Sequence, residues 1–551
     1  MVFVPKLFQC LKTYTRAKLV RDVTAGIIVA IIALPLSIAL AIASGVSPEK
    51  GLITAIIGGF VASFLGGSRV QISGPTGAFV VIVLNIIQVY GLQGLITATF
   101  MAGIILMIMG FAQMGNLIKF IPYPITSGFT CGIAIIIFTT QVKDFFGLNI
   151  EELPSEFIPK WASYIEHFNA MNVISLLIGL ATILIIIVWP KFVKKIPGTL
   201  IAIVLMTVLT AVFHLKIDTI GSVYTNIQGS IPAPRFPNIS FEMIKELIGP
   251  AFVIAFLGSI ESLLSAVVAD GMIGSTHKSN MELVGQGAAN IASSLFGGIP
   301  VTGAIARTAA NVKNGSRTPV SGMVHSVVLF LMMVFLMPYV KYIPMTALAG
   351  ILMVVAYNMG EWEEFKTLLK APKSDSIVFL STFALTILFD LVFAIEVGMV
   401  MAAFLFMKRM SDVAQISVNS PDEPDTPDGF RLPDIDYNKS KVLIYEINGP
   451  FFFGAADNFL KTFKTLETNP KVLILEMSHV PAMDSTGYMA MNRLFNMCKQ
   501  SNIKMMLVGL REQPYKTLEK YDFLSKIGSQ RIYRQLQEAI ADSNHYLMSL
   551  P

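Results

Sequence analysis

The sequence predicts a polytopic α-helical membrane protein in two related halves, followed by a small α/β domain outside the bilayer. Three observations predict it: an apolar composition, a pair of short Gly/Pro-interrupted spans, and a change of character after Arg409. Of 551 residues, 14% are charged and 54% hydrophobic, against roughly a quarter charged in soluble domains. Mean hydropathy is +0.65. The formal net charge of +5 is modest, and its placement in short loops says more than its size. Cys10, Cys131 and Cys498 are far apart, so neither a disulfide framework nor a metal site is suggested.

Lys6, Lys12, Arg16, Lys18 and Arg21 precede the first apolar run without a cleavage signal. That pattern reads as an uncleaved first span with a cytoplasmic N-terminus. Apolar runs then follow one another from about residue 23 to residue 407. Several, such as 23–44 and 171–189, reach the roughly 20 residues a helix needs to cross a bilayer. Lys191, Lys194 and Lys195 follow Trp189, Lys313 and Arg317 follow Asn311, and Lys408 and Arg409 follow the last span. The segment 141–169 instead sets Lys143 and Lys160 against Asp144, Glu151, Glu152, Glu156 and Glu166. Basic loops belong on the cytoplasmic side. The count is fourteen spans, and an even number puts both termini inside.

Two spans are too short to cross. After ISGPTG the apolar run 76–89 has 14 residues, roughly 21 Å of helix. After GGIPVTG only nine residues, 304–312, stand before Lys313, roughly 13 Å. Each follows a glycine-rich helical pattern, and GGFVASFLGG (58–67) can be laid on ANIASSLFGG (289–298), 231 residues later. Interrupted spans in corresponding positions of two halves point to an inverted-repeat transporter with its site at the midplane. The competing explanation is chance likeness between small-residue packing helices.

No GxxxxGK[ST], GxGxxG or HExxH is present, and the six histidines have no metal-ligand spacing. A secondary transporter, a channel or a membrane receptor is left, with no nucleic-acid partner and no cofactor expected. A broken helix aims its free N–H groups and positive dipole end at the bilayer centre. Two such ends, near Thr76 and Ala304, would make an anion site, with the Thr76 hydroxyl as a further donor. Arg307, one turn beyond Ala304, adds a positive charge or a structural pairing. Glu261 is the one charge between Glu246 and Asp270. An ionised carboxylate is costly there unless paired. It can take a proton with an incoming anion, pair with Arg307, or brace two helices. Ser265, one turn on, could hydrogen-bond it or complete a cation site. Asp390 and Glu396 read as loop or packing residues.

Beyond Arg409 a Pro- and acid-rich stretch, SPDEPDTPDGFRLPD, reads as a linker over 413–440. KVLIYEI, KVLILEM and IKMMLVG read as buried strands, and 457–468 and 485–501 as helices. That alternation predicts a parallel or mixed sheet covered by helices over 441–551. In VPAMDSTGYMAM, Asp484 and Ser485 fall between strand and helix, as an N-cap or as a phosphorylatable or partner-binding loop.

DVTAGIIVAIIALP, GPTG, PYPITSGFTCGIAI, SIESLLSAVVAD, ELVGQGAANIASSLFGGIPVTGAIART, TALAGILMVVAY and VPAMDSTG together resemble the SulP family of anion transporters, with a C-terminal STAS domain. The likeness covers essentially the whole chain. It implies two inverted seven-segment repeats (about 21–215 and 240–412) with core and gate subdomains, elevator-like motion and a homodimer. By position it implies an anion site between Thr76 and Gly303, Ala304 and Ile305, lined from the first segment by Leu36 and Ser37, with Glu261 as coupling carboxylate. Many members have Gln where Leu36 stands. The sodium-coupled bicarbonate branch has Asp and Thr at Glu261 and Ser265, Thr at Ile305, and no Arg at Arg307. These departures favour protons over sodium. In STAS relatives the serine matching Ser485 is phosphorylated or meets a soluble partner. The expectation is a proton-coupled symporter of a small oxyanion, sulfate first, in the cytoplasmic membrane. Bicarbonate or C4-dicarboxylate transport, an uncoupled exchanger or channel, and a sensor acting through its tail are the alternatives.

Overall fold

The computed structural model describes residues 3–116, 122–150, 153–154, 156–193, 196–225, 227–237, 239–389, 391–413, 415–419, 438, 441–452 and 470–549. Glu151, Glu152, Lys194, Lys195, Asp390, most of 413–440 and the helical pattern at 457–468 lie outside the described residues. The chain divides into two compact units, Met1–Val400 and Met401–Pro551.

The first unit is a succession of helices: α1 (Arg16–Ala43), α2 (Pro48–Leu65), then Ala78–Phe111, which Gly91 breaks into α3 (78–90) and α4 (92–111). Gly91 has φ 66° and ψ −172°, a conformation open to glycine and hostile to other residues. α5 (Tyr123–Thr140), α6 (Val173–Phe192) and α7 (Gly198–Val212) complete the first half. The second half repeats the order with α8 (Phe241–Ile273), α9 (Ser279–Leu295), the short α10 (Ile305–Lys313), α11 (Val320–Val340), α12 (Met345–Met359), α13 (Lys373–Leu388) and α14 (Leu391–Val413). Apart from shorter connecting helices, these make fourteen segments among the described residues, with short α3 and α10 in corresponding places, as the sequence predicts.

Hydrocarbon leaves a backbone no solvent partner, so apolar segments close their hydrogen bonds internally as helices. Their starts use side chains where available: Asn172 Oδ1 accepts from Ile174 N at 2.9 Å, and Ser240 Oγ from Met243 N at 3.2 Å. α6 shows the outer surface, with Leu177, Leu180, Leu184 and Ile187 all exposed along one helical stripe. α2 contains a π-helical turn, Thr54–Gly58. Where α4 crosses α9 the backbones nearly touch: a Cβ on Gly287 would lie 2.6 Å from Gly103 O, and one on Gly103 2.7 Å from Gly287 O.

The second unit holds a five-stranded sheet in the order β3 (Gln415–Asn419), β4 (Val442–Asn448), β5 (Val472–Glu476), β6 (Lys504–Val508), β7 (Ile532–Tyr533), where β1 and β2 name two short strands of the first unit described below. β3 is antiparallel to β4 and the others run parallel. β3 falls within the stretch read as linker. Leu443, Tyr445 and Ile447 pack on the face covered by α15 (Ser485–Gln500); Val442 and Ile444 pack under α16 (Leu536–Met548). The strands are apolar on both faces because helices cover both.

Gly287→Leu should force α4 and α9 apart and destabilise the first unit by about 2–3 kcal/mol, as overpacking does. A lower thermal unfolding midpoint in detergent, with a smaller drop for Gly287→Ala, would show it.

Candidate functional site

Past α2 the chain turns out of helix at Gly66 and returns extended. Ser73–Gly74 (β1) there pairs antiparallel with Thr302–Gly303 (β2), Ser73 opposite Gly303 and Gly74 opposite Thr302. Ala304 N donates to Ile72 O at 2.8 Å, extending the ladder. Each strand runs directly into a half-helix. α3 begins after Gly77 and α10 after Ala304, and neither start has a side-chain cap. In the first turn of α3, Phe79 N and Val80 N donate back to Thr76 O and Gly77 O at 3.3 and 3.0 Å, and in α10 Thr308 N donates to Ala304 O at 2.9 Å. Both starts thus stand beside one two-residue ladder without a side-chain cap.

α8 anchors this hairpin. Thr302 Oγ1 donates to Gly258 O at 3.0 Å, its hydroxyl meets Ser262 Oγ at 2.7 Å, and Gly303 N donates to Ser262 Oγ at 3.1 Å. One residue away, Glu261 is partly buried, and its Oε2 accepts from Thr76 Oγ1 at 3.0 Å. The Arg307 guanidinium is 4% exposed and lies at the entry to α3. Its Nη2 donates to Pro75 O, and Gly74 leaves room for Nη1, which a Cβ there would meet at 2.6 Å. Nη1 is buried and has no hydrogen-bond partner.

Thr76, Glu261, Arg307, Gly303 and Ala304 thus come together. The partners differ in detail from the sequence reading. Glu261 and Arg307 form no direct ion pair; each is engaged at the start of α3, one through Thr76 and the other through Pro75. Ser265 shares a helix face with Glu261, but its hydroxyl donates to Thr308 Oγ1 at 3.2 Å because α10 packs there. Ile305 opens α10 and is 37% exposed. Leu36 packs partly buried on the main core. Ser37 is fully buried with its hydroxyl unpartnered, and its carbonyl is crowded by α2 at Gly51. Neither residue hydrogen-bonds the Thr76–Arg307 group. Glu396 is exposed on α14. In the second unit Asp484 is an N-cap, its Oδ1 accepting from Gly487 N at 2.7 Å, and Ser485 beside it is exposed.

Residues the sequence reading passed over hold the two crossovers. Glu282 on α9 is buried, its Oε2 accepting from Gly67 N and Ser68 N at 2.8 Å and its Oε1 from Gln71 Nε2 at 3.0 Å and Gln286 Nε2 at 2.9 Å. Gln286 Nε2 also donates to Ser73 Oγ at 2.7 Å. Asn290 brackets Val301, donating to its carbonyl at 2.8 Å and accepting from its N–H at 3.0 Å. The available signal was a Glu, a Gln and an Asn every fourth residue in ELVGQGAAN, one polar stripe on an otherwise small-residue helix. Asp22, fully buried at the start of α1, likewise accepts from Arg317 N at 2.9 Å and Thr318 Oγ1 at 2.5 Å.

Two inverted seven-helix repeats meeting at paired half-helix N-termini define a membrane transporter of the broken-helix class. The chain belongs to the sulfate permease family, a family of anion transporters: that family's model matches residues 19–382 and the STAS domain model residues 436–539. It is 42% identical over 524 residues, 95% of this chain and 97% of the other, to YvdB of Bacillus subtilis (strain 168), which carries the provisional name of a sulfate transporter. It is 30% identical over 545 residues, 95% of this chain and 94% of the other, to the bicarbonate transporter BicA of Picosynechococcus sp.. In fold it resembles the murine Slc26a9 anion transporter in its inward-facing state, with TM-score 0.87 at 18% identity over 98% of this chain and 94% of that one. The transmembrane domain of a cyanobacterial BicA matches 71% of this chain and 98% of its own, with TM-score 0.63 at 29% identity.

A methyl group at position 74 collides with Arg307 Nη1. Gly74→Ala should therefore move the guanidinium and weaken anion binding about tenfold, the loss of roughly one charge-assisted hydrogen bond. Titrating sulfate, bicarbonate and chloride onto the purified protein by calorimetry checks it.

Proposed function

We propose that the protein is a proton-coupled symporter of a small oxyanion, with sulfate as first substrate, and that the pocket is the space between the starts of α3 and α10. The observation that carries this reading is the buried Arg307 Nη1 without a partner, set beside two uncapped helix starts. A buried donor left unpaired is costly, and an oxyanion would satisfy it. The name given to YvdB favours sulfate. The 30% identity to BicA makes bicarbonate the second reading.

Coupling follows from the hydroxyl that Thr76 gives to Glu261. A threonine hydroxyl has a single proton to donate. While Glu261 is ionised it claims that proton and adds a negative charge beside the pocket. Once protonated, Glu261 becomes a donor, the repulsion disappears, and Thr76 can turn its O–H to the anion. Proton and anion are thereby taken up together. Ser265 gives its hydroxyl proton to Thr308, so it does not donate to Glu261. We further propose an elevator-like motion of the unit carrying the site, a homodimer in the cytoplasmic membrane with both termini inside, and a soluble partner or phosphorylation at the exposed Ser485.

In proteoliposomes an imposed inward proton gradient should drive accumulation of radiolabelled sulfate or bicarbonate, rising as external pH falls. Glu261→Gln should abolish gradient-driven accumulation; accumulation surviving that change would leave an uncoupled exchanger, and uptake that needs sodium and ignores pH would reverse the assignment. Deleting 440–551 should reduce flux without abolishing it, whereas a sensor acting through its tail would lose all function.

A further inference from the structure

The two repeats are unequal in a way that bears on the site. At the 231-residue spacing that superposes GGFVASFLGG on ANIASSLFGG, Glu282, Gln286, Asn290 and Ser293 of α9 correspond to Gly51, Ala55, Gly59 and Ala62 of α2. All four polar residues are buried, at 1% exposure or less. α9 thus carries this polar stripe, whereas α2 has small residues at the four matching positions and contributes only Thr54, whose Oγ1 accepts from Ile299 N at 2.8 Å.

The stripe reaches both crossovers. Glu282 takes the N–H groups of Gly67 and Ser68 and the amide of Gln71 in the first. Gln286 joins Glu282 to Ser73 of β1. Asn290 grips Val301, the residue before β2, and Ser293 Oγ donates to Ile299 O at 2.8 Å. The small residues of α2 fit the complementary task of close approach. A Cβ on Gly59 would stand 2.9 Å from Ser73 O, so a longer side chain there would push β1 away.

We infer that α9 is the common support of both half-helix starts, and that Gln286 is a positioning residue for the anion site, acting through Ser73 and the β1–β2 ladder on Gly74, Thr76 and Arg307. This rests on the anion-transport reading given above. Gln286 touches neither the pocket nor the coupling carboxylate. Its loss should therefore loosen the geometry that binds the anion and leave proton dependence alone. The Glu282 carboxylate keeps three other donors when Gln286 is removed, so the first crossover stays tied to α9.

The test is Gln286→Met, similar in length and without the amide, alone and with Ser73→Ala, in the full-length protein in proteoliposomes. The expected result for Gln286→Met is a KM raised about tenfold, the worth of one buried hydrogen bond, with maximal rate within twofold and an unchanged pH profile. Ser73→Ala in the same chain should add nothing, because the two residues act through one bond. Hydrogen exchange read by mass spectrometry on segments 66–76 and 299–305 should be faster in Gln286→Met, with a thermal midpoint close to that of the parent. An unchanged KM in a folded variant, or additive effects of the two substitutions, overturns the inference. If the parent protein moves none of sulfate, bicarbonate or chloride, the anion reading has failed, and the exchange measurement alone decides: protection in both segments equal to the parent's overturns the inference.

Discussion

Two extended stretches run through the middle of a helical bundle built for hydrocarbon, and their peptide groups must find partners inside the protein. In a bilayer interior an unpaired N–H or C=O costs several kcal/mol. The β1–β2 ladder satisfies part of this demand by pairing the stretches with each other. The α9 stripe and the α8 hydroxyls satisfy more. Arg307 Nη1 is left without a partner beside the uncapped starts of α3 and α10. On the proposed reading, a bound anion would satisfy that nitrogen.

In the proposed coupling, the Thr76 hydroxyl is shared between the carboxylate and the anion. Thr76 is within hydrogen-bond reach of Glu261 and stands at the mouth of α3. Arg307 comes from the other half of the chain and reaches the carbonyl just before Thr76. Both the carboxylate and the guanidinium are therefore held by residues just ahead of α3, with no direct ion pair between them. A direct Glu261–Arg307 bond would have cancelled the charge that attracts the ligand.

The architecture was legible in the sequence because it rests on periodic or compositional signals. Segment length marked α3 and α10 as half-spans, the repeated Gly/Ala/Ser pattern marked α2 and α9 as counterparts, and Glu261 stood out against an apolar background. Partners were harder to read. Glu261 and Ser265 lie one turn apart, which fixes a shared face but not the neighbour that faces it, and α10 claimed Ser265 for Thr308. Glu282, Gln286 and Asn290 drew no reading of their own, since their bonds go to backbone some 215 residues away for Glu282 and 11 residues away for Asn290. The strand at 415–419 lay in a stretch whose proline and acid content pointed to a linker, because the composition of 420–440 dominated the window.

The inequality between α2 and α9 also says something about descent. Two copies of one ancestral half, facing opposite ways, would each have had to secure their own crossover. In this chain α9 reaches both crossovers, while α2 reaches the second through Thr54, whose Oγ1 accepts from Ile299 N at 2.8 Å, and otherwise offers small residues that let strands come near. The two halves carry this task unequally. The N-terminal half on its own would leave the amides of Gly67 and Ser68 and the side chain of Gln71 without their acceptor. The first half thus leans on a carboxylate encoded only in the second.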